Sequence, residues 1–187
     1  CNKRRRTSLY LEAAGTSIVI DTPPDFREQA LQFKLPRVDA VLFTHSHADH
    51  VFGFDDIRRY NTMQDAIIPA YADSDTTADL RRIFSYITTE KAVGVYRPRI
   101  DFREISGPFD VGGIHIVPFN VIHDPKTTLG FKFECEGRTL GYVPDCCMMR
   151  DDVIEILRGV DVMILDALRH APHRTHLTVD GSVRLLQ

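Results

Sequence analysis

Residues Thr44 to His50 read THSHADH and follow the apolar run Asp39 to Phe43. The run DAVLF has the β-branched and apolar content of a short buried strand, and its two-residue alternation sends His45 and His47 to the same side where the strand ends. Asp49 and His50 then open a helix. Four ligand-type side chains in six residues cannot surround one tetrahedral ion without contorting the backbone, because neighbours such as Asp49 and His50 point apart. Two ions are easier to hold, with His45 and His47 on the first, Asp49 and His50 on the second, and the ions about 3.5 to 4 Å apart as in two-metal hydrolases. The alternative is a polar loop whose histidines happen to cluster. Placement after a strand and before a helix argues against it.

At 187 residues, with 43% hydrophobic and 26% charged, the chain suits a single domain over 1–187 with a sizeable core. No apolar run approaches the roughly 18 residues of a membrane span, and no signal-peptide pattern precedes the first strand. The net charge of −3 gives no general pull toward nucleic acid, so phosphate recognition must be local. The four cysteines, Cys1, Cys135, Cys146 and Cys147, form no CxxC pair and no spaced disulfide framework, which suits a reducing cytoplasm. Cys1 is an uninformative orphan at the terminus, and Cys146 and Cys147 read as small packed residues rather than ligands. The start at Cys1 and the unfinished apolar pattern at Gln187 lead us to expect missing sequence at both ends.

Taken in order, KRRR at residues 3 to 6 is read as a solvated tail in preference to a phosphate-binding tract. Leu9 to Leu11 and Ser17 to Ile20 form a hairpin turning at Gly15, and Pro23-Pro24 stops the second strand and presets a helix over Asp25 to Lys34. A helix over Phe54 to Met63 carries Arg58-Arg59 on a solvated face, followed by a strand Ile67 to Tyr71 and a helix Thr76 to Tyr86. Residues 87 to 108 read as loop with short strands. Ile114 to Phe119 is a strand leading to His123, and Leu129 to Cys135 with Thr139 to Val143 make a hairpin ending in Pro144-Asp145. A helix Asp151 to Leu157, a strand Val160 to Leu165 and a last helix from Val179 complete the chain. Between the last two lies a stretch with three histidines, His170, His173 and His176, and two arginines, Arg169 and Arg174.

The HxHxDH stretch resembles the metallo-β-lactamase superfamily. HLT at 176–178 resembles the HxT element of ribonuclease Z relatives, and DALRHAPHRTHLT resembles the corresponding loop of the cyclic phosphodiesterase of phosphonate catabolism. Strands alternating with helices, ligands at strand ends and two runs of hairpins agree with the α/β fold class this implies, an αββα sandwich, incomplete here at both termini. The resemblance implies metal ligands at His45, His47, Asp49, His50, His123 and Asp145, with His123 completing the first site and Asp145 bridging both ions. It also implies a final histidine beyond Gln187. An Asp placed like Asp21 usually buttresses the metal loop in this superfamily, whereas the residues alone read it equally well as a turn cap.

The chemistry expected is hydrolysis of a small or cyclic phosphodiester by a hydroxide bridging two divalent ions, which Asp49 could orient. His173 or His176 would protonate the leaving alkoxide, and Arg169 or Arg174 would stabilise charge on the substrate. Imidazole and carboxylate ligands without thiolate suit zinc first and manganese second. The same hydroxide could attack a lactone, thioester or β-lactam, so an acyl hydrolase is the second reading, and a non-catalytic metal-binding protein is the third. The lack of a broad basic field favours a small substrate over RNA, and a homodimer stays open.

Overall fold

The computed structural model describes residues 3–88, 96–123 and 125–187. Cys1 therefore lies outside the described residues, as do 89–95 of the expected loop. Two compact units divide the chain, Cys1–Ser106 and Gly107–Gln187.

The first unit is a five-stranded sheet in the order β1 (Leu9–Ala13), β2 (Thr16–Ile20), β3 (Ala40–Leu42), β4 (Ile68–Ala72), β5 (Ile100–Glu104). The expected hairpin pairs β1 with β2 antiparallel, Leu9 opposite Ile20, and every later pairing is parallel. Parallel neighbours need crossovers, and helices supply them: α1 (Phe26–Phe33), α2 (Ala48–Val51), α3 (Arg58–Gln64), α4 (Ser74–Ile83) and α5 (Ser85–Thr88). Val19, Val41, Ile68, Ala70 and Ala72 repeat every second residue and pack with Phe26, Phe54, Tyr60 and Leu80 in one core. Ile18, Ile20, Ala40 and Leu42 are equally buried, which is why these strands read as unbroken apolar runs.

Three expectations change in detail. The helix over Phe54 to Met63 is a 3-10 turn, Phe54–Ile57, followed by α3. The turn is tight because the Gly53 N–H is spent on Thr22 O (2.8 Å) while Gly53 O receives Asp56 N (3.1 Å). The helix expected from Thr76 begins at Ser74, capped by Asp73, whose carboxylate accepts from Thr76 N at 2.7 Å. KRRR is not a free tail. Arg5 pairs with Glu28 at 3.0 Å, and Arg6 pairs with Asp25 at 3.1 Å while donating its backbone N–H to the same carboxylate at 2.9 Å. The segment is clasped to the acidic start of α1, where negative charge also suits the helix dipole.

The second unit is a five-stranded sheet in the order β10 (Val162–Leu165), β9 (Arg138–Val143), β8 (Lys126–Cys135), β7 (Ile114–His123), β6 (Phe109–Val111). All pairings are antiparallel except β9 with β10. The long register of β7 on β8 carries the ladder out to His123 opposite Lys126. Gly130 sits opposite Phe119, where a Cβ would come within 2.3 Å of the ring, so only glycine admits that aromatic. The helix α6 (Asp151–Leu157) has the expected bounds, and α7 (Val179–Leu185) follows the histidine-rich loop. Among the described residues no helix is long and apolar enough to cross a membrane.

Candidate metal centre

In the first unit the centre is built around Asp21. This residue leaves β2 with φ +59°, a conformation Asp tolerates better than most, and its side chain is fully buried. One carboxylate oxygen accepts the Thr44 backbone N–H at 2.9 Å; the other accepts the Thr44 hydroxyl at 2.8 Å and His50 Nδ1 at 2.8 Å. Asp21 thus buttresses the loop and is no mere turn cap.

These contacts assign the imidazole tautomers from the chemistry of their partners. A carboxylate only accepts, so His50 carries its proton on Nδ1 and its lone pair on Nε2. Thr44 gives its one hydroxyl proton to Asp21 and so accepts from His45 Nδ1 at 3.0 Å, leaving the His45 lone pair on Nε2 as well. That nitrogen lies 2.9 Å from His47 Nδ1. The rings of His45 and His50 have centroids 4.2 Å apart, those of His45 and His47 4.4 Å. Asp49, mostly exposed, brings a carboxylate oxygen to 3.9 Å from His50 Nε2. The loop is further pinned by Ser46 donating to Asp79 at 2.6 Å and by Thr22 N donating to His50 O at 2.7 Å.

In the second unit His123 ends β7, buried, with Nδ1 donating to Thr175 O at 2.7 Å, so that Nε2 carries the lone pair 3.7 Å from an Asp145 oxygen. Asp145 follows β9 and is buried. His176 joins them: His123, Asp145 and His176 each offer one ligand atom within 4.8 Å of the other two. His176 is held by Asp166, which follows β10 and accepts His176 Nδ1 at 2.8 Å, Cys146 N at 3.1 Å and Leu177 N at 3.2 Å on one oxygen. Burial pushes the Asp166 carboxyl upward, and these donors pull it partly back.

The rest of the histidine-rich loop is more open. His173 is exposed, its ring 5.0 Å from that of His176, and its Nδ1 faces Thr175 N (3.3 Å) and Thr175 Oγ1 (3.2 Å). Desolvation first, then the neighbouring His176 and Arg169, lower its pKa. Arg169 spends two donors on the backbone of its own loop, on Ala171 O at 3.2 Å and Pro172 O at 2.8 Å, and Arg174 is exposed. His170 lies 3.8 Å from Asp180. Sequence reasoning passed over Thr44 and Asp166; an Asp closing a strand, at the position where ligands cluster, was the available signal for the second.

Residues 16–187 match the family model described as the β-lactamase superfamily domain. The chain belongs to this family. A solved structure described as a new diphosphatase from the PhnP family superposes with a TM-score of 0.85 at 35% identity, over 96% of this chain and 68% of that one. An octanoyltransferase of Porphyromonas gingivalis is 30% identical over 97% of this chain, which spans only 36% of that protein. Ribonuclease Z of Bradyrhizobium diazoefficiens is 27% identical over 73% of this chain and 46% of its own length. The two-sheet architecture is that of the metallo-β-lactamase fold.

The donors suit the metal ions this family implies. Each unit offers imidazoles with the lone pair on Nε2, each fixed by a partner on Nδ1, and the second adds the buried Asp145 carboxylate, nitrogen and oxygen donors of the kind that bind divalent ions. Cys146, its thiol pushed up to about 12 by burial, belongs to none of the ligand clusters among the described residues.

Proposed function

We propose that this chain is a metal-dependent hydrolase of phosphoric diesters or anhydrides, small rather than polymeric, with two divalent ions, zinc first and manganese second. His45, His47 and His123 would hold one ion, Asp49 and His50 the other, and Asp145 both. The observation that carries the reading is the pairing of His176 with Asp166 beside His123 and Asp145, on a chain that is 35% identical to a diphosphatase over nearly its whole length. Bound ions would supply an activated water and polarise the phosphoryl oxygens.

The protein's own groups then divide the remaining work. Departure of an alkoxide or phosphate needs a proton, and His176 is the better donor of the two candidates. Asp166 fixes its Nδ1–H, so a protonated ring presents Nε2–H toward the side where His123 and Asp145 lie. His173 is exposed, and desolvation first, then His176 and Arg169, lower its pKa, which suits a substrate contact better than an acid. Arg174 would meet substrate charge. Arg169, bonded to Ala171 and Pro172, shapes the loop that presents both histidines.

The test is metal content by elemental analysis together with hydrolysis of bis(p-nitrophenyl) phosphate and of an alkyl phosphodiester. Two ions per chain, activity lost in His45→Ala, and a His176→Ala variant that loses far more on the alkyl ester than on the nitrophenyl ester are expected. Equal losses on both esters would remove the acid role. Cleavage of a thioester or lactone but of no phosphodiester would replace the reading with acyl hydrolysis. Absence of metal and activity would end both.

A further inference from the structure

Away from the metal-type residues, the first unit carries a groove of about 600 Å³ between α1 and α3. Its floor is apolar: Phe26 and Tyr60, with ring centroids 6.4 Å apart, together with Ala30 and Leu35. Its walls leave large apolar side chains in water, Leu31 at 68% exposure and Met63 at 51%. This volume falls within the range of small-molecule sites, and methionine at a rim adapts readily to different occupants.

The charge around it is one-sided. Arg27, Lys34, Arg58 and Arg59 line the groove against a single acid, Asp56. Arg58 is paired with Asp55 at 2.9 Å, but among the described residues Arg27, Lys34 and Arg59 have no ion-pair partner. Elsewhere in the same unit Arg5, Arg6, Arg37, Arg99 and Arg103 are each matched to a carboxylate. A chain of net charge −3 thus leaves a concentration of unmatched cations around apolar surface. Burial pushes the Asp56 carboxyl upward while Arg27 and Arg58 pull it down, so this acid offsets part of the positive charge at its end of the groove.

The cations are also unevenly placed. Arg27 acts electrostatically on Asp56, and Arg58 and Arg59 follow at the start of α3, so three of the four gather at one end. Toward the other end, Pro36 and Met63 also line a second depression of about 360 Å³, in which exposed Ile67 sits among the polar Arg37, Asp39 and Gln64. From Arg27 to Lys34 the wall runs seven residues of helix, about 10 Å at 1.5 Å per residue. Cations gathered at one end, an apolar floor and the exposed Leu31 and Met63 between them and Lys34 match an amphiphile with a short tail.

We propose that this groove binds an amphiphilic monoanion, an acyl chain bearing one carboxylate or phosphate, with its head beside Arg27 and Arg59 and its tail along Leu31 and Met63. Decanoate is the probe. Titrated calorimetrically into the full chain at low salt, it should bind once per chain and saturate. Decyltrimethylammonium, with the same tail and the opposite charge, should not. The Arg27→Glu/Arg59→Glu double variant should weaken decanoate at least tenfold, and Met63→Asp should do so as well. Arg81→Glu, a cation outside the groove, should leave it unchanged. All of these positions are at the surface, and unchanged unfolding midpoints would show that the variants fold. No saturable binding of decanoate, or equal binding of the cationic detergent, or indifference to the double charge reversal, would overturn the proposal.

Discussion

Replacing Asp21 by Asn tests the buttress of the metal loop with almost no change in shape. Asn tolerates the φ of +59° at this position, so backbone strain is not introduced. Its amide oxygen can still accept Thr44 N, but its NH2 must then face Thr44 Oγ1 and His50 Nδ1. Thr44 Oγ1 can use its second lone pair to accept the amide beside His45 Nδ1 at 3.0 Å, but its hydroxyl proton then loses the acceptor that Asp21 provides. His50 is worse placed: its Nδ1–H would point at another donor, in a site where the histidine is 2% exposed. Leaving one such buried donor unmet costs about 1–3 kcal/mol. The ring can escape by moving its proton to Nε2, but that spends the lone pair that the proposed metal site needs from His50. A supporting hydrogen bond to a ligating histidine is worth about 10–100-fold in metal affinity. Urea unfolding of the metal-free protein should therefore show a loss of about 1–3 kcal/mol, and zinc competition against a chelator should show weakening of at least tenfold. Asp21→Ala, which also strands Thr44 N, should be worse on the first measurement. A variant with wild-type stability and zinc affinity within threefold would refute the reasoning.

Gly53→Ala places a Cβ 2.1 Å from the backbone oxygen of Pro23, which cannot swing aside, so a stability loss of about 1–3 kcal/mol in urea unfolding is expected. The Arg6 backbone N–H, and then its guanidinium, hold Asp25 below the usual aspartate range. The stabilisation this provides is complete above the ordinary aspartate pKa of about 4 and is lost as pH falls through the lower folded value. Asp25→Asn should accordingly flatten the acid side of the stability profile, and an unchanged slope between pH 5 and pH 3 would count against the clasp. Cys146, fully buried with its thiol pushed up to about 12, should resist iodoacetamide at pH 8 until the protein is unfolded, as read by peptide mass spectrometry. Labelling of Cys146 in the native protein at the rate of a free thiol would contradict its packing.

The local patterns were legible because their physics is local. DAVLF followed by THSHADH shows a strand and a ligand cluster within twelve residues, the bounds of α6 follow from its pattern and the Arg158-Gly159 stop, and the first hairpin was legible to within two residues at its turn. The resemblance carried by the histidine motif brought the fold and the family with it, and the family model spans 16–187. What the chain could not disclose by itself was which polar groups meet across long separations. Whether Asp21 caps a turn or buttresses a loop depends on Thr44 and His50, 23 and 29 residues away, and only the parallel alignment of β2 with β3 brings them together. Asp166 gathers Cys146 N from 20 residues upstream with His176 and Leu177 downstream, because β10 lies beside β9. The basic run at 3–6 reads as a solvated tail until α1 presents Asp25 and Glu28 to it. Sequence patterning determined which residues could ligate a metal and on which elements they sit. Tertiary pairing decided how each imidazole is turned, because a tautomer is set by the partner on the other nitrogen, and that partner is remote in the chain.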